Sequence, residues 1–308
     1  MEYCKECFTP STRPRIEFSE GICNACWHAK KRKRNKINYL DRKNEFLKLI
    51  ERMENIREKN DNFYHCIVPW SGGKDSSAIA LKLKNEFNLN PLLVTFNPLI
   101  PTQIGIKNRE ALLEKGFDSL YLSANKLISK KLSLRFLIER GNPKLHWNAG
   151  ITSFLYRTAI NFKIPFIFYA EHGETNYGGK VLSNESEKKR DYEEVIENCI
   201  GDDPHNWESS DLKLNEISPY LMPSQDELDE FNIEGHYFGY YFPWDIKDNI
   251  KYILKNIDFK LHPKGRTIGT FTDFDSLDDY IDDVYYYLQF IKYGFGRAIR
   301  DASRHIQL

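Results

Sequence analysis

The chain of 308 residues has no long hydrophobic run, no net charge and few cysteines. Its longest nearly apolar stretch, Ile164 to Ala170, falls far short of the roughly 20 residues that span a bilayer. Forty-four Lys and Arg balance 44 Asp and Glu, which excludes a globally basic nucleic-acid coat. Six cysteines in so long a chain exclude a disulfide-dense secreted scaffold. The opening Met1-Glu2-Tyr3-Cys4 has neither the basic nor the apolar region of a secretory signal, so a cytoplasmic location is expected. No internal repeat or low-complexity tract is present. What remains, 41% hydrophobic and 29% charged, is the composition of a globular protein with a substantial core.

Charge is unevenly placed. Lys30, Lys31, Arg32, Lys33, Arg34 and Lys36 lie within residues 28–36 without an acid. Residues 185–234 hold sixteen acids against Lys188, Lys189, Arg190 and Lys213, a local charge of −12. A solvated face explains either run; phosphate binding for the first and a docking surface for the second are the sharper readings.

Four of the cysteines form Cys4-x2-Cys7 and Cys23-x2-Cys26, fifteen residues apart. Two such knuckles set four thiolates around one Zn²⁺, and Pro10, Pro14 and Gly21 supply the turns between them. Four thiolates leave no open coordination position, so the metal is expected to be structural. A Cys4 module over 1–37 is followed by a linker over 38–60, in which Leu40, Leu47, Ile50 and Met53 recur at helical spacing.

From residue 61 onward strands and helices alternate. His65-Cys66-Ile67-Val68-Pro69-Trp70, Leu92 to Phe96, Leu120 to Leu122 and Phe166 to Ala170 read as strands. Ile79, Leu83 and Phe87, and the stretch near 103–115, read as helix. This alternation predicts an α/β fold with a parallel sheet, covered on both faces, whose ligands bind at the C-terminal strand ends. There lies Ser71-Gly72-Gly73-Lys74-Asp75-Ser76. Two glycines let successive N–H groups turn inward as an anion nest at a helix N-terminus. Ser71 and Ser76 add hydroxyls, Lys74 adds a cation, and Asp75 is suited to orienting the loop or to holding Mg²⁺ through water. The spacing is neither that of a Walker A loop nor that of a dinucleotide fingerprint.

This hexapeptide resembles the PP-loop of ATP pyrophosphatases, which cleave ATP between the α and β phosphates. In them the end of the second strand, here Thr95-Phe96-Asn97, lies beside the adenine. The wider chain is similar to the N-acetyl sugar amidotransferases that make acetamidino sugars for bacterial surface polysaccharides, including lipopolysaccharide O-antigen, and for flagellin glycans. The matching stretches are both CxxC pairs, Val68-Pro69-Trp70, Asn90 to Pro98, Glu171 to Gly179, Gly269 to Ser276 and Lys292 to Ala298. The chain departs from many relatives at His172, and it stops at Ile306-Gln307-Leu308 where they continue through a further helical tail.

The resemblance implies a Rossmann-like PP-loop domain over 61–270 and a C-terminal helical segment over 271–308. ATP would be held by Ser71, Gly72, Gly73, Lys74, Asp75, Ser76, Thr95, Phe96 and Asn97, with Lys74, Asp75 and Ser76 catalytic and Mg²⁺ as cofactor. Glu171, Glu174, Tyr177 and Arg297 would contact the sugar. A separate glutaminase would supply ammonia, docking on a charged surface such as the 28–36 run.

Without the resemblance, Glu171 and Glu174 divide evenly between a site edge and a solvated loop. Asp275-Ser276 is expected to open a helix with an apolar stripe of Leu277, Ile281, Val284, Leu288 and Ile291. Asp278, Asp279, Asp282 and Asp283 then read as helix-stabilising surface. Arg297 is suited equally to a phosphate or to the surface. His65, His146, His205 and His236 lack ligand spacing, and Tyr285-Tyr286-Tyr287 reads as packing. Cys66 is expected to be buried and inert, and Cys199 to sit among acids that disfavour a thiolate. Three functions stand against one another: a sugar amidotransferase, a PP-loop enzyme that adenylates a tRNA base before thiolation or amination, and a non-catalytic nucleotide or zinc module. The intact loop disfavours the third. The absence of a further CxxC pair counts against thiolation, and the first is expected.

Overall fold

A computed structural model describes residues 1–34, 37–173, 176 and 187–307. Its centre is a five-stranded parallel sheet of β3 (Cys66–Pro69), β4 (Pro91–Phe96), β5 (Ser119–Leu122), β6 (Phe166–Tyr169) and β7 (Glu234–Tyr237), in the order β5-β4-β3-β6-β7. A small antiparallel ribbon, β1 (Phe18–Ser19) and β2 (Ile22–Cys23), precedes it. The principal helices are α1 (Asn24–Arg34), α2 (Tyr39–Lys59), α3 (Lys74–Phe87), α4 (Gln103–Leu113), α5 (Lys126–Arg140), α6 (Leu145–Asn161), α7 (Ile246–Asn256), α8 (Ile281–Tyr293) and α9 (Arg297–Gln307). Short helical turns join β6 to β7 and β7 to α7. Among the described residues no helix is long and apolar enough to cross a membrane.

The period-two alternation of strand side chains splits the core between the sheet faces. Cys66, Val68, Leu93, Phe166 and Phe168 pack with Phe46 and Met53 of α2, Ile79 and Leu83 of α3 and Ile253 of α7. Ile67, Leu92, Val94, Ile167 and Tyr169 point the other way, onto Leu155, Tyr156 and Ala159 of α6. Both faces are therefore covered, which is why the central strands are almost wholly apolar. Chain order and strand order part company at β3. From there the chain proceeds outward to β4 and β5, then returns to place β6 on the other side. Such a switch point opens a crevice beyond the carboxyl ends of β3 and β6.

The helix expected from Asp275 begins instead at Ile281. The carbonyls of Leu277 and Asp278, which a helix would use internally, are taken by Thr102: its Oγ1 donates to Leu277 O, and its N–H donates to Asp278 O at 3.1 Å. The Asp279 carboxylate accepts from the N–H groups of Leu99 and Ile100, each at 2.9 Å. Residues 269–280 thus form a strap sewn to the loop after β4. Asp279 and Asp282 are buried, correcting their reading as a solvated surface. The expected apolar stripe is not a buried face either, since Val284 and Ile291 are exposed while Leu277 is buried.

α6 lies so close to β4 that a Cβ on Gly150 would stand 2.4 Å from the ring tip of Phe96, which is itself buried. Gly150→Ala is expected to destabilise the protein by about 1–3 kcal/mol, the usual cost of overpacking a core. A urea titration checks this.

Candidate active site and metal centre

The crevice at the switch point is a cleft of about 520 Å³. Ser71, Gly73, Lys74, Asp75 and Ser76 form one wall. β3 ends at Pro69, and the Trp70 N–H continues its ladder to Val94 O at 2.9 Å. The loop then turns through Gly72, whose φ of +93° favours glycine. A Cβ there would meet Arg109 Cγ at 2.6 Å. Gly73 N–H donates to Ser71 Oγ at 3.3 Å, and α3 starts at once with Lys74.

Lys74 is buried in the first turn of α3. Its Nζ donates to Asp75 Oδ2 at 2.9 Å and to Asp275 Oδ1 at 2.6 Å. Burial works against its charge, but the two carboxylates outweigh that and hold the ammonium well above the usual lysine range. Asp275 is burdened by burial too, yet Lys74 and the Thr272 hydroxyl keep it below the usual carboxylate range. Asn249 of α7 donates to the other oxygen of Asp75 at 3.3 Å.

The opposite wall holds Lys144 at the N-cap of α6, Trp147 and Asn148 of α6, Asp278 of the strap, and Asp282, Tyr285 and Tyr286 of α8. Lys144 is paired with Asp282 and lies 4.1 Å over the Trp147 ring. Asp278 is pushed up to about 6, first by burial and then by the neighbouring Asp282. Sequence reasoning missed Asp275, Lys144, Asp278 and Asp282 as cleft residues. The only signal for them was their number, and helix periodicity argued the other way. Tyr285 and Tyr286 face the cleft as well as packing, whereas Tyr287 is exposed.

Thr95, Phe96 and Asn97 do not line this cleft. Thr95 Oγ1 donates to Trp70 O, Phe96 is packed against α6, and the Asn97 carbonyl accepts from Trp147 Nε1 at 2.9 Å. They brace the entrance to the loop and the opposite wall. Glu171 lines smaller neighbouring cavities with His172. Glu174 and Tyr177 lie outside the described residues. Arg297 is fully buried, 4.7 Å over the Tyr286 ring and 3.7 Å from Asp301, so it is not a surface residue.

Cys66 is buried in β3, and burial pushes its thiol up. Cys199 departs from expectation: Arg190, not an acid, stands against it, with Nη2 2.9 Å from Sγ. The Arg190 backbone is fixed to Gly235 O at 2.8 Å, which brings the guanidinium in beside the thiol. His146 is a core residue, bonded to Ser129 and pushed down to about 4 by burial.

The four remaining cysteines converge. Cys4, Cys7, Cys23 and Cys26 are buried with their sulfurs all within 4.8 Å of one another. Cys4 and Cys26 sulfurs are 3.9 Å apart, and those of Cys7 and Cys23 3.5 Å. A tetrahedron with Zn–S bonds of about 2.3 Å sets its sulfurs about 3.8 Å apart, so the donor set fits a structural zinc ion. The Cys23 N–H donates to Cys4 Sγ at 3.3 Å. From the far end of the chain, Gln307 Nε2 approaches Cys7 Sγ at 3.5 Å, and Ser303 Oγ donates to Cys7 O at 2.7 Å.

The chain therefore has a Rossmann-like, PP-loop type α/β fold with an N-terminal cysteine cluster able to hold a metal. No protein-family model and no curated protein matches it. Among solved structures it is similar to a predicted subunit of tRNA methyltransferase from Methanocaldococcus jannaschii DSM. The two are 18% identical over 62% of this chain and 87% of that one, with a TM-score of 0.24.

Metal analysis of freshly purified protein is expected to find about one zinc per chain, and Cys23→Ser to release it to a chelator far faster, because three thiolates hold the ion poorly. Zinc-free protein, or a disulfide among these cysteines, would contradict the assignment.

Proposed function

We propose that this protein binds ATP in the cleft between β3 and β6 and cleaves it between the α and β phosphates, transferring AMP to an amide oxygen. The observation that carries this reading is the buried Lys74 ammonium at the start of α3, beside the Ser71–Ser76 loop and open to the cleft. Helix start, backbone N–H groups and cation together suit the departing pyrophosphate.

The acceptor is the N-acetyl group of a sugar, the class to which the motifs are similar. Its carbonyl oxygen attacks the α-phosphorus, the Pα–O–Pβ bond breaks, and pyrophosphate leaves with the electron pair. Ammonia then adds to the imidate carbon and loses a proton, and AMP departs carrying the former amide oxygen. An acetamidino sugar results. Asp278, whose carboxyl burial and Asp282 push up to about 6, lines the cleft and in this scheme takes that proton as its carboxylate. Trp147 and Tyr285 line the cleft with aromatic surface against which a sugar ring can pack. Two carboxylates surround Lys74 and two more face them, so a polyanionic nucleotide enters this cleft with Mg²⁺ to offset the repulsion. Zinc in the Cys4 cluster is structural.

A second acceptor, a tRNA base adenylated at its own amide-like oxygen, is favoured by one feature. Lys31, Lys33 and Arg34 lie exposed along α1 as a cationic edge. Mass spectrometry separates the two: exchange of oxygen for NH in an N-acetyl sugar supports the first, a modified nucleoside the second.

Turnover is expected to release AMP and pyrophosphate, and Lys74→Ala to slow it by about 10²-fold or more, as loss of one transition-state donor does. Stoichiometric ADP would contradict the assignment. The single chain is expected to use ammonium at alkaline pH and to ignore glutamine, because no cysteine lines the cleft. Four are grouped for metal, Cys66 is buried, and Cys199 lines a separate cavity from the one that holds Lys74. A separate glutaminase then supplies ammonia. Glutamine-dependent product from the pure chain would overturn that.

A further inference from the structure

We propose that Asp275 is a positioning residue that sets Lys74 in the cleft, a role that acquires its catalytic meaning from the nucleotide-binding reading above. Lys74 has three N–H donors. One goes to Asp75 Oδ2 and one to Asp275 Oδ1, which leaves one for a phosphate. The Asp75 contact is between neighbours on the same helical turn and comes with the local backbone. The Asp275 contact spans 201 positions and exists only because the strap brings it there.

Every part of the strap near Asp275 is fixed. Thr272 Oγ1 donates to Asp275 Oδ2 at 3.0 Å, so Oδ1 is turned to Lys74. The Phe274 ring lies 5.1 Å from the ammonium and limits its movement. Upstream, Thr270 Oγ1 donates to Asp301 Oδ2 at 2.5 Å, and Ala298 N–H donates to Gly269 O at 3.0 Å, tying the strap to α9. Downstream, Asp279 and Thr102 sew it to the loop after β4. A carboxylate held at both ends of its segment, and at its own second oxygen, acts as a fixed stop for a flexible four-carbon side chain.

The charged groups bearing on this pair are Asp75 from α3, Arg297 from α9, and, across the cleft, Lys144 at the N-cap of α6, Asp278 of the strap and Asp282 of α8. Removal of Asp275 leaves the buried ammonium with one close counter-charge. Burial then favours the neutral amine, which is the acylatable form.

The test reads Lys74 directly, without nucleotide. The full chain is pulsed with acetic anhydride across a pH series from neutral to alkaline, and acetylation of Lys74 is quantified by mass spectrometry against an exposed lysine. In the wild type Lys74 is expected to label more slowly than Lys251, which is exposed. In Asp275→Ala it should label at least about tenfold faster, the effect of a one-unit fall in its pKa, while Asp275→Asn, which keeps an acceptor, lies between. Thr272→Val, which frees Asp275 without deleting it, should move labelling in the same direction and serves if Asp275→Ala does not fold. Unchanged labelling in a folded Asp275→Ala or Thr272→Val protein would overturn the proposal. ATP cleavage is measured separately. Asp275→Ala should lose about tenfold or more in kcat with a smaller change in nucleotide affinity, and its alkaline limb should move to lower pH. If labelling shifts as expected while the wild type cleaves no ATP, the positioning role stands and the nucleotide reading fails.

Discussion

An ammonium buried between carboxylates is costly to build, because each charge loses its water before the pair regains anything. Lys74 carries that cost at the first turn of α3, and much of the surrounding structure serves to offset it. Asp75 arrives with the helix, and Asn249 of α7 steadies it from behind. Asp275 arrives from the strap, which is held to α9 on one side and to the β4 loop on the other. The sheet contributes the gap itself, since the reversal of strand order at β3 leaves the loop open toward β6.

The two ends of the chain meet on the side of the molecule that anchors the strap. Gln307 and Ser303 on α9 touch the cysteine cluster, and Asp301 of the same helix holds Thr270. The cysteine module therefore has a mechanical place in the fold: it is a footing for α9, and α9 is one of the two anchors of the segment that reaches Lys74. A small loop cluster with no core of its own needs a metal to be rigid enough for that task.

Much of the fold was legible because its signals are local. The apolar runs at Cys66 to Val68, Leu92 to Phe96 and Phe166 to Tyr169 each read as a strand of a doubly covered parallel sheet. The CxxC spacing pointed to a four-sulfur cluster, and the Gly-Gly-Lys turn marked the sheet edge where the cleft lies. What was not legible depends on contacts distant in sequence. Asp275 to Asp283 look like the acidic start of an amphipathic helix, and only Thr102, on the carbonyls of Leu277 and Asp278, and Leu99 and Ile100, on the carboxylate of Asp279, reveal that the segment is engaged elsewhere. Lys144 gives no local sign of its pairing with Asp282. Cys199 was read from its acidic neighbours in sequence, whereas its neighbour in space is Arg190. Arg297, whose chain position suggested a phosphate or solvent, is instead stacked in the interior.

The proposed chemistry turns on which atom attacks the α-phosphorus, and the most direct measurement follows that atom. An N-acetyl sugar labelled with ¹⁸O in its carbonyl, incubated with ATP, Mg²⁺ and ammonium, should return the label in the phosphate of AMP, with unlabelled pyrophosphate and an acetamidino product free of ¹⁸O. AMP formed without the label, while the sugar retains its ¹⁸O, would show that the amide oxygen never meets the nucleotide and would contradict the proposed reaction.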